Sequence, residues 1–385
     1  MKDLQDDLLQ RKQQGLYRSR KVSQGPQGRE IILNEQRVLN FSSNDYLGLA
    51  NHPAVKESFM TATQQYGVGS GAAHLVNGHT QAHHALEEEL ASFSGYPRAL
   101  LFSTGYMANL GVAQSLCSKN SSIIEDKLNH ASLLDAANIS SARLIRYLHR
   151  DYNNLQDKLR NCESTEKLVS SDSVFSMDGD EADIRQMIKH CQTYDARLML
   201  DDAHGFGVLG KDGRGSLSHQ QITTSNVSVY MATLGKALGT AGAFVAGSEE
   251  LIETLIQTAR CYIYTTAMPA AIAEATRTSL HLLVNENWRQ QALNKNIEFF
   301  KTLATQAELK LLESDTAIQP IIIGDAKLAM DISQQLFNQG FHVAAIRPPT
   351  VPKNTARLRV TLRADHIKED IERLISAVIK LLPTE

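Results

Sequence analysis

Seven short apolar runs alternate with helix-like segments between residues 98 and 246, and this alternation restricts the folds open to the chain. A strand that returns to the same sheet through a helix is the connection that parallel pairing requires. Runs that are apolar throughout indicate strands covered on both faces. The pattern predicts an α/β fold with a mainly parallel central sheet and helices on both faces. The predicted strands are Arg98–Ser103, Ser122–Glu125, Arg143–Tyr147, Lys167–Ser171, Arg197–Asp201, Val227–Thr233 and Gly242–Ala246.

The regions on either side of this alternation have different patterns. Residues 1–20 predict an amphipathic, charged N-terminal helix or arm, and Glu30–Leu33 with Arg37–Phe41 predict a small hairpin. Long helical stretches from Ala270 to about Gln306 precede a smaller α+β region. Its predicted strands and helices are Ile318–Ile323, His342–Ile346, Arg357–Leu362, Ala326–Gln339 and His366–Leu382. We therefore expect an arm and hairpin at 1–45, a large domain at 46–285 and a small C-terminal domain at 286–385.

Composition argues against several classes of partner. With a formal net charge of −3, the 385-residue chain lacks the basic field that favours nucleic acid or an anionic membrane. No apolar stretch approaches the roughly 20 residues that span a bilayer. The polar segment Met1–Asp7 lacks the apolar core of a signal peptide. The four cysteines are widely separated, which favours free thiols in a reducing cytoplasm.

The most informative chemical feature is a lysine and an aspartate that each follow an apolar run. Lys236 lies among glycines and small residues, where a cofactor can approach the backbone closely, and Asp201 ends the run Leu198–Leu200. An amine that forms a Schiff base and a carboxylate that pairs with a pyridinium nitrogen are the two groups that pyridoxal phosphate needs. A nucleotide-binding P-loop is excluded, because its required glycine and hydroxyl positions are occupied by Tyr230 and Ala237.

Other candidate residues also follow predicted strands, where ligands bind in open α/β sheets. The turn at 103–106 begins a helix, so the backbone N–H groups around Gly105 and Tyr106 are candidates for holding a phosphate, with the Thr233 hydroxyl beside them. Further candidates contact the ring of a planar cofactor: His130 by stacking, and Ser176 and His204 by polar contacts. Each of these residues taken alone is typical of an ordinary turn, helix cap or surface position.

Two further patterns could suggest a metal site and a dinucleotide-binding loop, but the sequence argues against both. His74, His79, His83 and His84 form a histidine group, but Thr80 replaces the glutamate of a His-Glu-x-x-His site and no third ligand has convincing spacing. We therefore expect no metal. The glycine-rich segment Gly67–Gly71 follows a predicted helix, whereas a dinucleotide-binding loop follows a strand.

Ordered segments over nearly the whole chain resemble the α-oxoamine synthase family of fold-type I pyridoxal-phosphate enzymes. These segments are Phe41–Leu49, Gly67–Gly71, Phe175–Asp180, Asp201–Gly207, Thr233–Gly239, Ala345–Pro352 and Arg357–Arg359. The resemblance implies a fold-type I PLP-dependent transferase with pyridoxal 5′-phosphate (PLP) as its cofactor. It also implies a homodimer with shared active sites.

The resemblance assigns a role to each candidate. It implies that Lys236 binds the cofactor covalently and carries the substrate's Cα proton, that Asp201 pairs with the pyridinium, and that His130 stacks on the ring. The cofactor contacts would be completed by Gly105, Tyr106, Ser176, His204 and Thr233, with Thr266 reaching the phosphate in the partner subunit. The substrate contacts would be Arg359 and Asn44 at the amino-acid carboxylate and Thr350 and Arg18 near the acyl group, with Arg20 as the alternative to Arg18.

The reaction implied is a decarboxylative condensation of L-alanine with a pimeloyl thioester, carried by coenzyme A or acyl carrier protein. A near competitor within the same family joins glycine to acetyl-CoA. Ser43–Leu49 and Ile346–Pro352 favour the first pair of substrates. A non-catalytic dimer is the alternative from another class, and the presence of Lys236, Asp201, His204 and His130 argues against it.

Overall fold

The computed structural model describes residues 4–14 and 16–383, so the outermost residues of the predicted N-terminal arm and C-terminal domain lie outside it. The strands are β1 Ser23–Gln24, β2 Glu30–Leu33, β3 Gln36–Asn40, β4 Arg98–Phe102, β5 Ser121–Asp126, β6 Arg143–Tyr147, β7 Glu166–Asp172, β8 Arg197–Asp201, β9 Val229–Thr233, β10 Ala243–Gly247, β11 Ile318–Gly324, β12 Phe341–His342, β13 Ala344–Ile346 and β14 Ala356–Thr361.

The α-helices lie mostly between these strands. They are α1 Leu4–Gln13, α2 Pro53–Tyr66, α3 Gln81–Ser94, α4 Gly105–Leu116, α5 Ala131–Ile139, α6 Tyr152–Arg160, α7 Ile184–Thr193, α8 Ser216–His219, α9 Glu249–Thr258, α10 Arg260–Ile263, α11 Ala270–Asn285, α12 Trp288–Gln306, α13 Ala326–Asn338 and α14 Lys368–Leu381. None of the helices in the described part of the chain combines the length and the apolar character that crossing a membrane requires.

The central sheet has seven strands in the order β4-β10-β9-β8-β7-β5-β6, and each coincides with a predicted run to within a few residues. Neighbours from β9 to β6 pair in parallel, whereas β10 is antiparallel to both β4 and β9. The prediction of a mainly parallel sheet is therefore confirmed, with one antiparallel strand inserted near its edge.

Helices cover both faces of the sheet, which explains why its central strands β9 and β10 are almost entirely buried. On β9, Tyr230 and Ala232 pack into the core cluster that contains residues of α3, α7 and α11. The alternate residues Val229 and Met231 pack on the opposite side against residues of α4, α5 and α9. Because successive side chains of a strand point to opposite faces, a strand between two helical layers has no position for a solvated polar side chain.

Two smaller sheets connect the ends of the chain. β11, β14 and β13 form an antiparallel sheet, and the predicted hairpin β2–β3 is extended by parallel pairing of Phe341 in β12 with Leu39 in β3. The predicted single strand His342–Ile346 is wrong in one respect. The chain passes from one sheet to the other at the buried Val343, so that β12 and β13 are separate strands.

The N-terminal prediction is confirmed in part. A helix is present as α1, but it ends at Gln13, and the segment that follows is not helical. Its apolar side chains Leu4, Leu8 and Leu9 are all largely exposed. The division of the chain at residues 45 and 285 stays a prediction.

A fully buried guanidinium joins the two ends of the molecule. Arg363 donates to Asp45 Oδ2 at 3.0 Å and to both carboxylate oxygens of Asp365 at 2.8 Å. Asn296 of α12 donates to the backbone oxygens of Arg363 and His366. Because a buried charge is tolerated only when it is paired and hydrogen-bonded, these contacts fix the segment after β14 against the chain entering α2.

Replacement of this guanidinium should destabilise the protein strongly. In Arg363→Leu the buried Asp45 carboxylate loses its cation, and breaking one partner of a buried pair costs about 3–5 kcal/mol. Chemical denaturation followed by fluorescence measures the change. The matched control is Arg160→Leu, which removes an exposed pair with Asp157 and should change the free energy of unfolding far less. Equal effects of the two substitutions would contradict this role of Arg363.

Candidate active site

The carboxyl ends of the central strands meet around one small cavity. Asp172, Asp201 and Thr233 are the last residues of β7, β8 and β9, three neighbouring strands of the sheet. The cavity holds about 200 Å³. It is lined by Gly105, Tyr106, His130, Ser132, Asp172, Ser176, Asp201, Ala203, His204, Met231, Thr233 and Lys236. Eight of these were predicted as cofactor contacts, and the fold brings all eight together.

Larger clefts lie elsewhere on the surface but gather no comparable chemistry. A cleft of about 680 Å³, for example, lies at the amino ends of β8 and β9, where Arg197 and Val229 begin those strands. In open α/β sheets ligands bind at the opposite, carboxyl edge. The smaller cavity is therefore the candidate active site.

Lys236 lies in the turn between β9 and β10, and the turn is anchored by buried neighbours. Leu234, Ala237 and Leu238 are buried on either side of it. At Gly239, which has a φ of +66°, an added Cβ would lie 2.3 Å from the backbone nitrogen of Ala50, so only glycine fits. Burial lowers the pKa of Lys236 to about 8, against the opposing effect of the Asp201 carboxylate. The amine is therefore largely neutral just above physiological pH.

A chain of hydrogen bonds runs from this amine to the small domain. Lys236 Nζ is 2.9 Å from His204 Nε2, and His204 Nδ1 is 2.6 Å from the Tyr46 hydroxyl. The Tyr46 hydroxyl donates to Asn44 Oδ1 at 3.3 Å, and that oxygen also accepts from Arg359 at 3.4 Å. Burial, reinforced by nearby Lys236, holds the pKa of His204 well below its usual range, so this imidazole is neutral.

Asp201 is held by donors on both of its carboxylate oxygens. Oδ1 accepts from the backbone N–H of Ala203 at 3.0 Å, and Oδ2 accepts from Asn109 Nδ2 at 2.8 Å. The neighbouring Asp202 is turned into the core and accepts from Ser216 and Tyr230. The geometry therefore favours Asp201 as the carboxylate that serves the cavity.

Asp172 is a site residue that the sequence reasoning missed. It pairs with Asp201 across the parallel strands, and its Oδ2 accepts from the backbone N–H of His130 at 2.7 Å. Burial, together with the nearby Asp201 carboxylate, raises the pKa of Asp172 well above its usual range. A signal was present in the sequence, because Asp172 ends its strand as Asp201 ends the next.

The N-terminus of α4 forms one end of the cavity. Thr104 caps this helix by accepting from the Met107 N–H at 3.1 Å, and Gly105 is its first residue. Thr233 lies opposite, where its hydroxyl donates to the Gly242 oxygen at 3.0 Å. A helix N-terminus with free N–H groups and a nearby hydroxyl suits a phosphate. Tyr106 is partly exposed and its hydroxyl donates to Asp135, so its ring borders the opening.

Arg359 reaches the cavity from β14. Its Nε donates to the Ser176 carbonyl oxygen at 2.6 Å, and its Nη1 donates to the Thr361 hydroxyl at 2.9 Å. The second amino group of its guanidinium is within 3.4 Å of Asn44 Oδ1. The small domain thus places a fixed cation beside Ser176, at the edge of the cavity.

The remaining predicted contacts lie outside the cavity lining. Thr266 is exposed on a segment that bridges to Ala73. Thr350 and Arg18 are also exposed, as is the alternative Arg20. Arg347 connects the segment of Thr350 with the segment of Arg18, because it donates to the Tyr17 oxygen at 3.4 Å. Their roles stay predictions.

The histidine group forms a packed cluster in which one member has both ring nitrogens engaged. His83 Nε2 donates to the Met268 oxygen at 2.7 Å, and its Nδ1 accepts from the Thr80 N–H at 3.1 Å. His74 and His79 come within 4.8 Å of it and of one another through ligand-type atoms. With both His83 nitrogens hydrogen-bonded, this cluster is more simply explained as helix capping and packing than as a metal site.

The residues of the cavity fit pyridoxal phosphate. They supply a buried amine at Lys236, a doubly supported carboxylate at Asp201 and a helix N-terminus at Gly105. The cavity is smaller than the roughly 300–1,000 Å³ of pockets for drug-sized ligands, which suits a small planar group. His130, whose pKa burial lowers, borders the same space as a neutral ring.

Comparison with known proteins agrees with this geometry. Residues 36–378 match the family described as aminotransferase class I and II. A relative from Nitrosococcus oceani named 8-amino-7-oxononanoate synthase is 53% identical over 376 residues, which cover 98% of this chain and 100% of that one. The crystal structure of the 8-amino-7-oxononanoate synthase from Francisella tularensis has a TM-score of 0.79 at 34% identity, covering 89% of this chain and 97% of that one.

A third similarity is to a structure of SPT with a PLP internal aldimine. Its TM-score is 0.93 at 26% identity, and the match covers 98% of this chain and 96% of that one. The chain therefore belongs to the class I and II aminotransferase family and, within it, to the 8-amino-7-oxononanoate synthases. The family and the fold class expected from the sequence are confirmed.

The lowered pKa of Lys236 makes a testable prediction. In the cofactor-free protein the neutral amine becomes the main species above about pH 8, so its acylation by an amine-reactive reagent should accelerate between about pH 7 and 9. Peptide mass spectrometry locates the modified lysine and gives its rate. Between the folded value of about 8 and the ordinary value of 10.5 the unfolded chain binds more protons at this group, so its contribution to the free energy of unfolding rises with pH. A midpoint near pH 10 in the pH dependence of the acylation rate would contradict the effect of burial on Lys236.

Proposed function

We propose that this chain is a PLP-dependent acyltransferase that condenses L-alanine with a pimeloyl thioester. The products are 8-amino-7-oxononanoate, carbon dioxide and the free thiol carrier, as expected of a biotin-biosynthetic enzyme. The single observation that carries the proposal is the burial of the Lys236 amine in the same small cavity as the supported carboxylate of Asp201. A binding module needs no such pair.

Each bond change in this reaction has a group to serve it. Pyridoxal phosphate, when bound, supplies an electron sink for the charge that develops at the alanine Cα. Lys236, with a pKa of about 8, takes the Cα proton and later returns it to the same carbon. In between, Cα bonds to the thioester carbonyl carbon, the thiolate carrier leaves, and the bond from Cα to its carboxylate breaks to release carbon dioxide. Asp201 accepts the hydrogen bond of the protonated ring nitrogen.

The amino-acid carboxylate is assigned to Arg359. Its guanidinium is fixed by the Ser176 oxygen and Thr361, and it lies beside Asn44. Arg side chains bind carboxylates through two parallel charge-assisted hydrogen bonds. We infer that the alanine carboxylate lies between the small domain and the cavity.

The acyl group is assigned to the segments around Thr350 and Arg18. The two segments lie together, because Arg347 donates to the Tyr17 oxygen. A pimeloyl chain has several methylenes to bury, each contributing about 0.8 kcal/mol, and a distal carboxylate that an arginine or hydroxyl can bind. We infer that coenzyme A or acyl carrier protein delivers it.

We further infer a homodimer in which Thr266 contacts the cofactor phosphate of the other subunit. The segment around it presents an apolar surface, since Val68, Leu75, Val76 and Tyr264 are each more than half exposed in the single chain. Exposed apolar patches of this kind mark protein interfaces. Light scattering of the purified protein measures the assembly.

All four cysteines are free, which fits the expected location in the reducing cytoplasm.

The substrate pair is the decisive test of the proposed function. The purified protein, loaded with pyridoxal phosphate, should form 8-amino-7-oxononanoate from L-alanine and pimeloyl-CoA, detected by mass spectrometry. Its specificity constant should exceed that for glycine with acetyl-CoA, because only the pimeloyl chain buries its methylenes. Lys236→Ala is the control and should reduce turnover by at least about 100-fold. A higher specificity constant for glycine with acetyl-CoA would contradict the proposal and assign the chain to the related activity that joins these two substrates.

Arg359→Ala should weaken the binding of L-alanine far more than that of the thioester. Loss of a charge-assisted hydrogen-bonding partner costs about 1.5–3 kcal/mol, or roughly 10- to 150-fold in affinity. Spectroscopic titration of the loaded protein with L-alanine measures this. Arg347→Ala, at the acyl segment, should leave the alanine titration close to wild type. The opposite pattern in the two variants would move the carboxylate site to Arg347.

A further inference from the structure

Asn109 lies beneath the cavity but does not line it. It is on the inner face of α4, its side chain is almost completely buried, and no sequence motif singles it out. Its amide nitrogen donates to Asp201 Oδ2 at 2.8 Å and to the Ser132 hydroxyl oxygen, also at 2.8 Å. One amide group therefore uses both of its hydrogens to connect β8 with the start of α5.

The first hydrogen bond fixes the carboxylate of Asp201. With Ala203 donating to Oδ1 and Asn109 to Oδ2, the carboxylate plane cannot rotate without breaking one of the two contacts. Asn109 therefore sets the direction of the carboxylate that is assigned to the cofactor nitrogen.

The second hydrogen bond acts on His130 through Ser132. Because the Ser132 oxygen accepts from Asn109, its own hydrogen is free to point toward His130 Nδ1, 2.8 Å away. The backbone N–H of Ser132 points to the same nitrogen at 3.3 Å. Two donors aimed at Nδ1 fix it as the acceptor, so the neutral imidazole carries its proton on Nε2.

The amide oxygen of Asn109 shows that the orientation of this side chain costs stability. Asn109 Oδ1 is buried and has no hydrogen-bond partner among the residues that the structure describes. An unsatisfied buried acceptor is disfavoured in folding. The reverse orientation would turn Oδ1 toward Asp201 Oδ2, which is worse because two acceptors would then face one another.

We propose that Asn109 is a positioning residue that orients the Asp201 carboxylate and fixes the tautomer of His130. The inference rests on the proposed function, because it acts through the roles given there to these two residues. A residue kept only for packing would not retain an unpartnered oxygen. A leucine of nearly the same shape fills the space and removes the unpartnered oxygen.

The test compares Asn109→Leu with the wild-type protein in two states. Without cofactor, the unfolding temperature should stay close to that of wild type, because removal of the unsatisfied Asn109 Oδ1 offsets the loss of the donor to Asp201 Oδ2. The dissociation constant for pyridoxal phosphate, measured by equilibrium dialysis, should increase about 10- to 100-fold through loss of the contact with charged Asp201. With L-alanine and pimeloyl-CoA, kcat should fall more than KM changes.

Asn109→Asp supplies a rescue that a structural role would not show. A protonated carboxyl at this position can donate to Asp201, whereas the ionised carboxylate repels it, and proximity to Asp201 raises the pKa of the new group. Cofactor affinity relative to wild type should therefore improve as the pH is lowered. The same pH series with Asn109→Leu should show no such improvement.

Two controls separate the outcomes. Ser115→Ala removes another unpartnered buried oxygen from α4 and should leave cofactor affinity and kcat unchanged. Ser132→Ala should reduce kcat while changing cofactor affinity by less than about threefold, since Asp201 keeps its donor. Wild-type cofactor affinity and kcat in Asn109→Leu, or lower unfolding temperatures with no pH-dependent rescue in Asn109→Asp, would overturn the proposal. A wild-type protein that binds cofactor but makes no product overturns the proposed function instead, and the dialysis series still tests Asn109.

Discussion

Removal of water from the Lys236 amine is the interaction on which the candidate active site depends. The pKa of this amine is lowered to about 8 because the turn that carries it is packed between buried Leu234 and Leu238. The close approach of Gly239 to Ala50 holds that turn against the chain that enters α2. A solvated lysine would keep its proton and could act neither as a nucleophile nor as a base at neutral pH.

The turn between β7 and α7 contacts both the small domain and the cavity, and so fixes one relative to the other. The Gly179 oxygen accepts from the Ser314 and Thr316 hydroxyls, and the Ser176 oxygen accepts from Arg359. On its other side the turn is held by His149, which lies between two aspartates. Burial alone would lower the pKa of His149, but hydrogen bonds to these aspartates raise it to about 9, so the imidazole stays charged at neutral pH. The Arg359 guanidinium, which we propose binds the substrate carboxylate, is thereby aligned with the cavity.

Local patterns predicted those parts of the site that follow directly from a strand. Asp201 and Thr233 end apolar runs, so their place at the carboxyl edge could be predicted from the sequence alone. Tyr46 and Asn109 could not be assigned in this way. Tyr46 reaches His204 only because the loop that precedes α2 packs into the main hydrophobic core, and Asn109 is an ordinary interior position of α4. The switch of the chain from β12 to β13 was missed for the same reason, since pairing partners distant in sequence decide it.

The adjacent carboxylates Asp172 and Asp201 end neighbouring strands but have different hydrogen-bond environments. Two carboxylates side by side in a buried place cannot both be ionised at low energetic cost. Asp201 has donors on both oxygens, from Ala203 and Asn109, whereas Asp172 accepts from the backbone of His130 and has a strongly raised pKa. Burial and the nearby Asp201 carboxylate therefore disfavour a charge on Asp172, while the hydrogen-bond donors are concentrated on Asp201. The unpartnered oxygen of Asn109 is the cost of directing both of its amide hydrogens to Asp201 and Ser132.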